Sequence, residues 1–118
     1  MVTAKNDPSL FADNAPGYVA VRPTDVAAQE VFPGIHIQVL WRGDNGATAA
    51  VVRIAPGAKW GKDDVHSPGP EEVYVVSGVF NDGQRDYPEG TFMHAPARSW
   101  HVPQSEQGCT LFVFYPEG

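Results

Sequence analysis

Eleven prolines and 12 glycines punctuate a chain of 118 residues, and they restrict its fold more than any other feature. Proline removes a backbone donor and glycine weakens a helix interior, so this density suits short strands joined by tight turns, not a helical bundle. The runs between the breaks are of strand type. GIHIQVLW (34 to 41) alternates, with Ile35, Ile37, Val39 and Trp41 on one face and His36, Gln38 and Leu40 on the other. Asp44-Asn45-Gly46 forms a hairpin-type turn, and ATAAVVRIAPG (47 to 57) is a second strand closed by Pro-Gly. EEVYVVSGVF (71 to 80) is the strongest strand and turns at Asn81-Asp82-Gly83. Further strands follow within QRDYPEGTFMHAP (84 to 96), SWHVP (99 to 103) and GCTLFVFY (108 to 115).

Seven or eight short strands at regular spacing predict an all-β sandwich or barrel with little helix. The length fits a single domain with one core. No repeat or low-complexity segment divides it. Ahead of the barrel, residues 1 to 16 read as an irregular polar arm. Residues 17 to 22, GYVAVR, read as a short strand, and 23 to 32 as one helical turn capped by Thr24.

The formal net charge of −6 argues against nucleic acid or an anionic membrane surface as partner, since both call for a basic footprint. No apolar run approaches the ~18 residues of a membrane span. The N-terminus lacks the apolar core of a signal peptide. One cysteine, Cys109, rules out an internal disulfide and fits a reducing compartment, so a cytoplasmic location is expected. Cys109 itself reads as a buried small apolar residue.

Polar chemistry gathers in DDVHSPGPEE (63 to 72). The candidate groups are Asp63, Asp64, His66, Glu71, Glu72, His94 and His101. Imidazole and carboxylate suit a first-row transition metal if three or four of them converge. Asp64 and His66 are two apart and share a strand face. Glu71 opens the next strand, and only one of Glu71 and Glu72 can point inward. Asp63 reads as a solvated turn residue, His94 as a structural neighbour, and His36 as a surface or barrel-lining residue. The aromatics Trp41, Trp60, Tyr74, Phe80, Phe92, Trp100, Phe112 and Phe114 read mostly as core or interface. No glycine loop precedes a helix, so phosphate binding is not expected. No Ser-His-Asp or Cys-His arrangement emerges.

These residues resemble the cupin superfamily. Its first motif runs His-x-His, three or four residues, Glu, six residues, Gly, and here Glu71 is followed by six residues and Gly78. Its second motif is matched by Pro96-Ala97-Arg98-Ser99-Trp100-His101, with Arg98 where the family has glycine. The run of Glu71, Glu72, Val75, Gly78, Phe80, Asp82, Tyr87, Pro88, Gly90, Thr91, Pro96, Ser99, His101, Pro103 and 108 to 113 is similar to the ChrR-type cupin-like domains. The resemblance implies a single-domain cupin double-stranded β-helix, a jelly-roll barrel, over residues 31–118. Residues 1–30 would form an N-terminal arm or edge strand.

The departure falls on the first histidine pair. In one register Asp64 and His66 take the two positions, and with Glu71 and His101 they form a metal shell. In the other, Val65 and Ser67 take them and His66 points away. The first register implies a divalent transition metal (Fe, Mn, Zn or Ni), with Asp64 as a ligand or a base beside it. The resemblance then implies a small metal-dependent enzyme acting on a carbonyl or enol compound. An O₂-dependent dioxygenase that cleaves a C–C bond is the specific form. A non-redox lyase, isomerase or cyclase, or a non-catalytic ChrR-like sensor or ligand-binding protein, are the alternatives. A small-molecule substrate and a homodimer paired through edge strands and arms are the implied partners.

Overall fold

In the computed structural model, residues 17–118 are described. Their strands are β1 (Gln29–Phe32), β2 (Ile35–Arg42), β3 (Thr48–Ile54), β4 (Asp64–Val65), β5 (Glu71–Asn81), β6 (Asp86–Pro88), β7 (Phe92–Ala95), β8 (Trp100–His101) and β9 (Cys109–Tyr115). A seven-stranded antiparallel sheet runs β1-β2-β3-β9-β5-β6, with β7 also pairing β5. The last strand thus returns to lie between β3 and β5, a long-range insertion typical of jelly-roll barrels. A separate two-stranded ribbon joins β4 and β8.

The alternation seen in sequence decides which side chains are inside. Ile35 on β2, Ala50, Val52 and Ile54 on β3, Val73 and Val75 on β5, and Leu111 and Val113 on β9 form one core with Phe80 and Cys109. Each aliphatic side chain buried this way contributes roughly 1.5–3 kcal/mol. Cys109 is buried and free, as expected of a lone small apolar residue in a strand.

Three local readings differ from the structure. Trp41 does not share a face with Ile35, Ile37 and Val39. A bulge shifts the β2–β3 register between Val39 and Trp41 and turns the indole outward, because an extra residue flips every side chain after it. Residues 18 to 22 form no strand, since alternation without a partner ladder makes none. The helical turn is a 3-10 turn over Pro23–Asp25 with Arg22, not Thr24, at its N-cap, and Gln29–Phe32 pairs as β1 instead.

This lead-in is fastened at one polar point. Gln38, buried on the outer face of β2, donates to the carbonyls of Pro23 (2.7 Å) and Val26 (3.0 Å) and accepts from Arg53. Of the expected N-terminal arm, residues 1–16 lie outside the described residues. No helix among the described residues is long and apolar enough to cross a membrane.

Candidate metal centre

Strand pairing brings the polar groups together. In the β4–β8 ribbon, Asp64 stands opposite His101 and Val65 opposite Trp100. Paired residues share a face, so Asp64 and His101 turn inward while Val65 and Trp100 (57% exposed) turn outward. The ladder continues past β4: the His66 amide donates to the Ser99 carbonyl (2.9 Å), and the Arg98 amide to the His66 carbonyl (2.7 Å). His66 therefore keeps the face of Asp64, two residues back. Glu71 opens β5 on the inner side and is 4% exposed; Glu72 points out. The arrangement follows the register in which Asp64 and His66, not Val65 and Ser67, face the barrel.

One ligand atom from each of Asp64, His66, Glu71 and His101 lies within 4.8 Å of every other. His66 Nε2 is 3.0 Å from Glu71 Oε1 and 3.2 Å from His101 Nε2. His101 Nε2 is 3.1 Å from Asp64 Oδ2 and 3.5 Å from Glu71 Oε1. Ligands at right angles around an ion, each ~2.1 Å from it, stand about 3 Å apart. The donor set therefore has the spacing of a coordination shell.

Two further observations test the fit. Glu71 Oε1 is buried without a hydrogen bond among the described residues, although His66 Nε2 is beside it. The two atoms are close but not aligned for a proton between them. Second, His66 Nδ1 is 3.0 Å from Ser99 Oγ, and that hydroxyl donates to the Pro96 carbonyl at 2.6 Å. With its own proton committed, Ser99 accepts from Nδ1–H, which leaves the Nε2 lone pair of a neutral His66 for a metal. The residues fit a divalent transition ion.

The electrostatics agree. The Glu71 carboxylate, in contact with the ring, and Asp64 behind it hold His66 above its ordinary value against the opposing effect of burial. Burial and then the Glu71 charge push the Tyr115 phenol up. Tyr115 thus keeps its proton and donates it to Glu71 Oε2 at 2.7 Å. One oxygen of Glu71 is fixed by a phenol, and the other is left to the cluster.

The cluster forms the polar end of a cavity of about 70 Å³ between the sheet and the ribbon. Val52, Val73, Leu111 and Val113 line it from the sheet side, and Trp60 and Pro103 complete the wall. An outer groove reaches Asp64 and His66 from the other side, past Arg42 and Thr48.

Other candidates fall elsewhere. Asp63 is exposed. His94 pairs with Glu72 at 3.2 Å on the outer surface, and His36 lies near Glu30, also outside. Trp41, Tyr74, Phe92, Trp100 and Phe112 are exposed, whereas Phe80 is fully buried. Tyr115 was not singled out from sequence. Its signal was the two-residue period Leu111, Val113, Tyr115, which places the phenol on the inner face of β9.

Comparison with known proteins agrees with this architecture. The profile of the ChrR Cupin-like domain matches residues 16–117. No curated protein matches in sequence. Among solved structures, the complex of Rhodobacter sphaeroides SigE with the anti-sigma ChrR matches at 25% identity and a TM-score of 0.68, covering 86% of this chain and 54% of that one. The chain thus spans about half of its ChrR-complex counterpart. KdgF from a Halomonas species matches at 22% identity and TM-score 0.70, over 86% of this chain and 96% of that one. An acetylacetone dioxygenase from Acinetobacter johnsonii matches at 13% and 0.71, over 84% and 72%. With nearly its whole described length matched and its barrel shared with these structures, the chain belongs to the ChrR Cupin-like domain family.

Proposed function

We propose that the protein is a small metal-dependent cupin enzyme acting on a carbonyl or enol compound, with O₂-dependent cleavage of a C–C bond as its specific reaction. The observation that carries this reading is the convergence of Asp64, His66, Glu71 and His101 at one end of an apolar cavity. His66, Glu71 and His101 would hold the metal, with Asp64 beside them. A bound divalent ion supplies Lewis acidity toward a substrate oxygen and, as iron, access to O₂ chemistry. The chain's own residues do the rest. Ser99 fixes the His66 tautomer, Tyr115 fixes Glu71, and the aliphatic wall keeps bulk water from the reacting end. Asp64 is the more open of the two carboxylates. It is placed either as a fourth ligand or as a base for a proton next to the substrate carbonyl.

The likeness to an acetylacetone dioxygenase supports the oxidative form. A non-redox lyase, isomerase or cyclase uses the same shell. The likeness to a complex containing ChrR favours a sensor as the second reading, in which a sigma factor or similar partner replaces the substrate as the readout. The protein acts in the cytoplasm as a homodimer.

Metal analysis of protein expressed with manganese, iron and zinc supplementation tests the first step. Near-stoichiometric metal, lost from a His66→Ala/His101→Ala double variant, is the expected result; a trace in the parent chain overturns it. Oxygen uptake with β-diketones and α-hydroxyketones then separates the readings. Uptake by the iron-loaded protein supports the dioxygenase, and its absence with a full iron site leaves the non-redox enzyme or the sensor.

A further inference from the structure

We propose that Arg42 is a specificity-determining residue: the site takes a carbonyl compound that also carries a carboxylate, and the Arg42 guanidinium in the outer groove holds that carboxylate while the carbonyl end meets the metal cluster. The inference rests on the metal reading above and adds the substrate's charge and the residue that reads it.

The bulge in β2 places the arginine. After the register shift, Trp41 pairs with Ala49 and Arg42 with Thr48. With unbroken alternation, Arg42 would share the outer face with His36, Gln38 and Leu40. The extra residue reverses this. Leu40 and Trp41 both reach an outer hollow beside Ala49. Arg42 instead joins Val39, Thr48 and Ala50 in the groove that reaches Asp64 and His66. Bulges next to active sites re-aim a side chain in this way.

Strand pairing then ties Arg42 to the cluster. It stands opposite Thr48 on β3, and Thr48 stands opposite Tyr115 on β9. The Tyr115 phenol donates to Glu71 at the head of β5 (2.7 Å). One row of side chains thus crosses the sheet from the guanidinium to a metal ligand. Two strand spacings of ~4.8 Å put the Arg42 and Tyr115 backbones about 10 Å apart, a gap that the arginine side chain and a short carbon chain span together. The groove has a volume of about 330 Å³, room for on the order of ten or more non-hydrogen atoms. Ile37, Val39 and Ala50 give it an apolar floor.

Charge supplies the selection. Thr48 is buried and gives its own proton to the Gly46 carbonyl (3.0 Å). Its hydroxyl therefore accepts from Arg42 Nη1 (3.3 Å) and steadies the guanidinium at the groove. A guanidinium has five N–H donors, so most of the fork stays open to a carboxylate, which it meets with two parallel hydrogen bonds. Among the described residues no carboxylate is ion-paired with Arg42, although Asp64 lines the same groove. No other lysine or arginine lines this groove or the inner cavity. A divalent ion balances the charges of Asp64 and Glu71, which leaves Arg42 as the uncompensated charge at the site. An anionic group on the substrate completes the balance.

4,6-Dioxoheptanoate and its primary amide separate charge from shape. They share a β-diketone, a chain length and the number of non-hydrogen atoms. Calorimetric titration of the manganese-loaded full chain without oxygen reads binding alone. The acid should bind about five- to tenfold more tightly than the amide, the effect of one charge-assisted pair on a partly exposed arginine. Arg42→Met keeps the length and apolar stem of the side chain and removes its charge. It should bring the two affinities within about twofold by weakening the acid alone, with amide affinity, manganese affinity and melting temperature unchanged.

An acid that binds no more tightly than its amide overturns the selection. A preference that survives Arg42→Met, or a variant that loses both compounds equally, overturns the role of Arg42. Failure of manganese to bind sinks the metal reading. The anchor is then read on the metal-free chain, as the change that Arg42→Met makes in the ratio of acid to amide affinity. A fall in that ratio supports it. An unchanged ratio, or no binding of either compound at millimolar concentration, overturns it as well.

Discussion

Glu71 is held between a phenol and an imidazole, and that placement sets what single substitutions should do. Tyr115→Phe leaves the ring in the inner wall but frees Glu71 Oε2. Loss of such an orienting partner weakens metal binding about 10- to 100-fold, measurable by competition with a chelator. A variant that holds manganese as tightly as the parent would remove Tyr115 from the account. His66 gives a pH signature. Its folded value is raised above 6.5 by Glu71 and then Asp64. A raised value means stability that is fully present below the unfolded value and lost as pH rises through the folded one. Melting temperatures of the metal-free chain should therefore fall as pH rises from slightly acid to slightly alkaline. Manganese binding requires the neutral ring, so its affinity should rise over the same range, and the two trends must run in opposite directions. Arg98 stands at φ 69°, where glycine sits in the resembling motif. A non-glycine residue there costs roughly 1 kcal/mol or more, partly offset because glycine has more entropy to lose on folding. Arg98→Gly should raise the melting temperature slightly; a lower one would contradict this. His66, Glu71 and His101 were readable in the sequence because motif spacing marked them. Tyr115 was not, because its place beside Glu71 depends on what faces it across the barrel.

Strands explain why some expectations from pattern succeeded. The alternation of Glu71, Val73 and Val75 against Glu72, Tyr74 and Val76 put the first set inside and the second outside. The same pattern failed on β2, where a bulge turned Trp41 out, and at 18 to 22, where no ladder exists. Period two reports a face only while the register is unbroken, and a bulge leaves no mark in one sequence. The fixed spacing from Glu71 to Gly78 has a direct physical cause. Gly78 has φ +78°, and a Cβ placed on it would lie 2.1 Å from the Gly108 carbonyl oxygen. It follows a register shift between Val75 and Ser77 against β9. A side chain at this point would drive β5 and β9 apart, and with them the carboxylate at the head of β5. Gly78→Ala should cost about 2–4 kcal/mol of stability, read from urea denaturation. A loss below about 0.5 kcal/mol would show that the close approach is not needed.

Among the described residues, the outer face of the sheet carries an exposed aromatic surface. Across the outer face of the sheet, Tyr74 on β5 stands between Phe92 on β7 and Phe112 on β9. All three rings are exposed, Phe92 by 62%. Cross-strand aromatic neighbours stabilise a sheet, but a continuous apolar patch in water is more than that role requires. On the neighbouring strands β2 and β3, the segment carrying Pro23 and Val26 packs over Gln38 by hydrogen bonds. The described lead-in thus covers one part of the outer face and leaves the aromatic part open. A second copy of the chain, meeting it face to face about a twofold axis, would bring the rings of each subunit onto those of the other. Such an interface is self-complementary and closes after two chains. Light scattering should report a mass of twice 12.8 kDa. Phe92→Ser combined with Phe112→Ser should give a single chain whose metal stoichiometry is unchanged, because neither ring touches the cavity. A parent chain that stays monomeric at micromolar concentration would refute the dimer. A double variant that stays dimeric would move the interface to an edge strand such as β1, whose one side has no partner among the described residues.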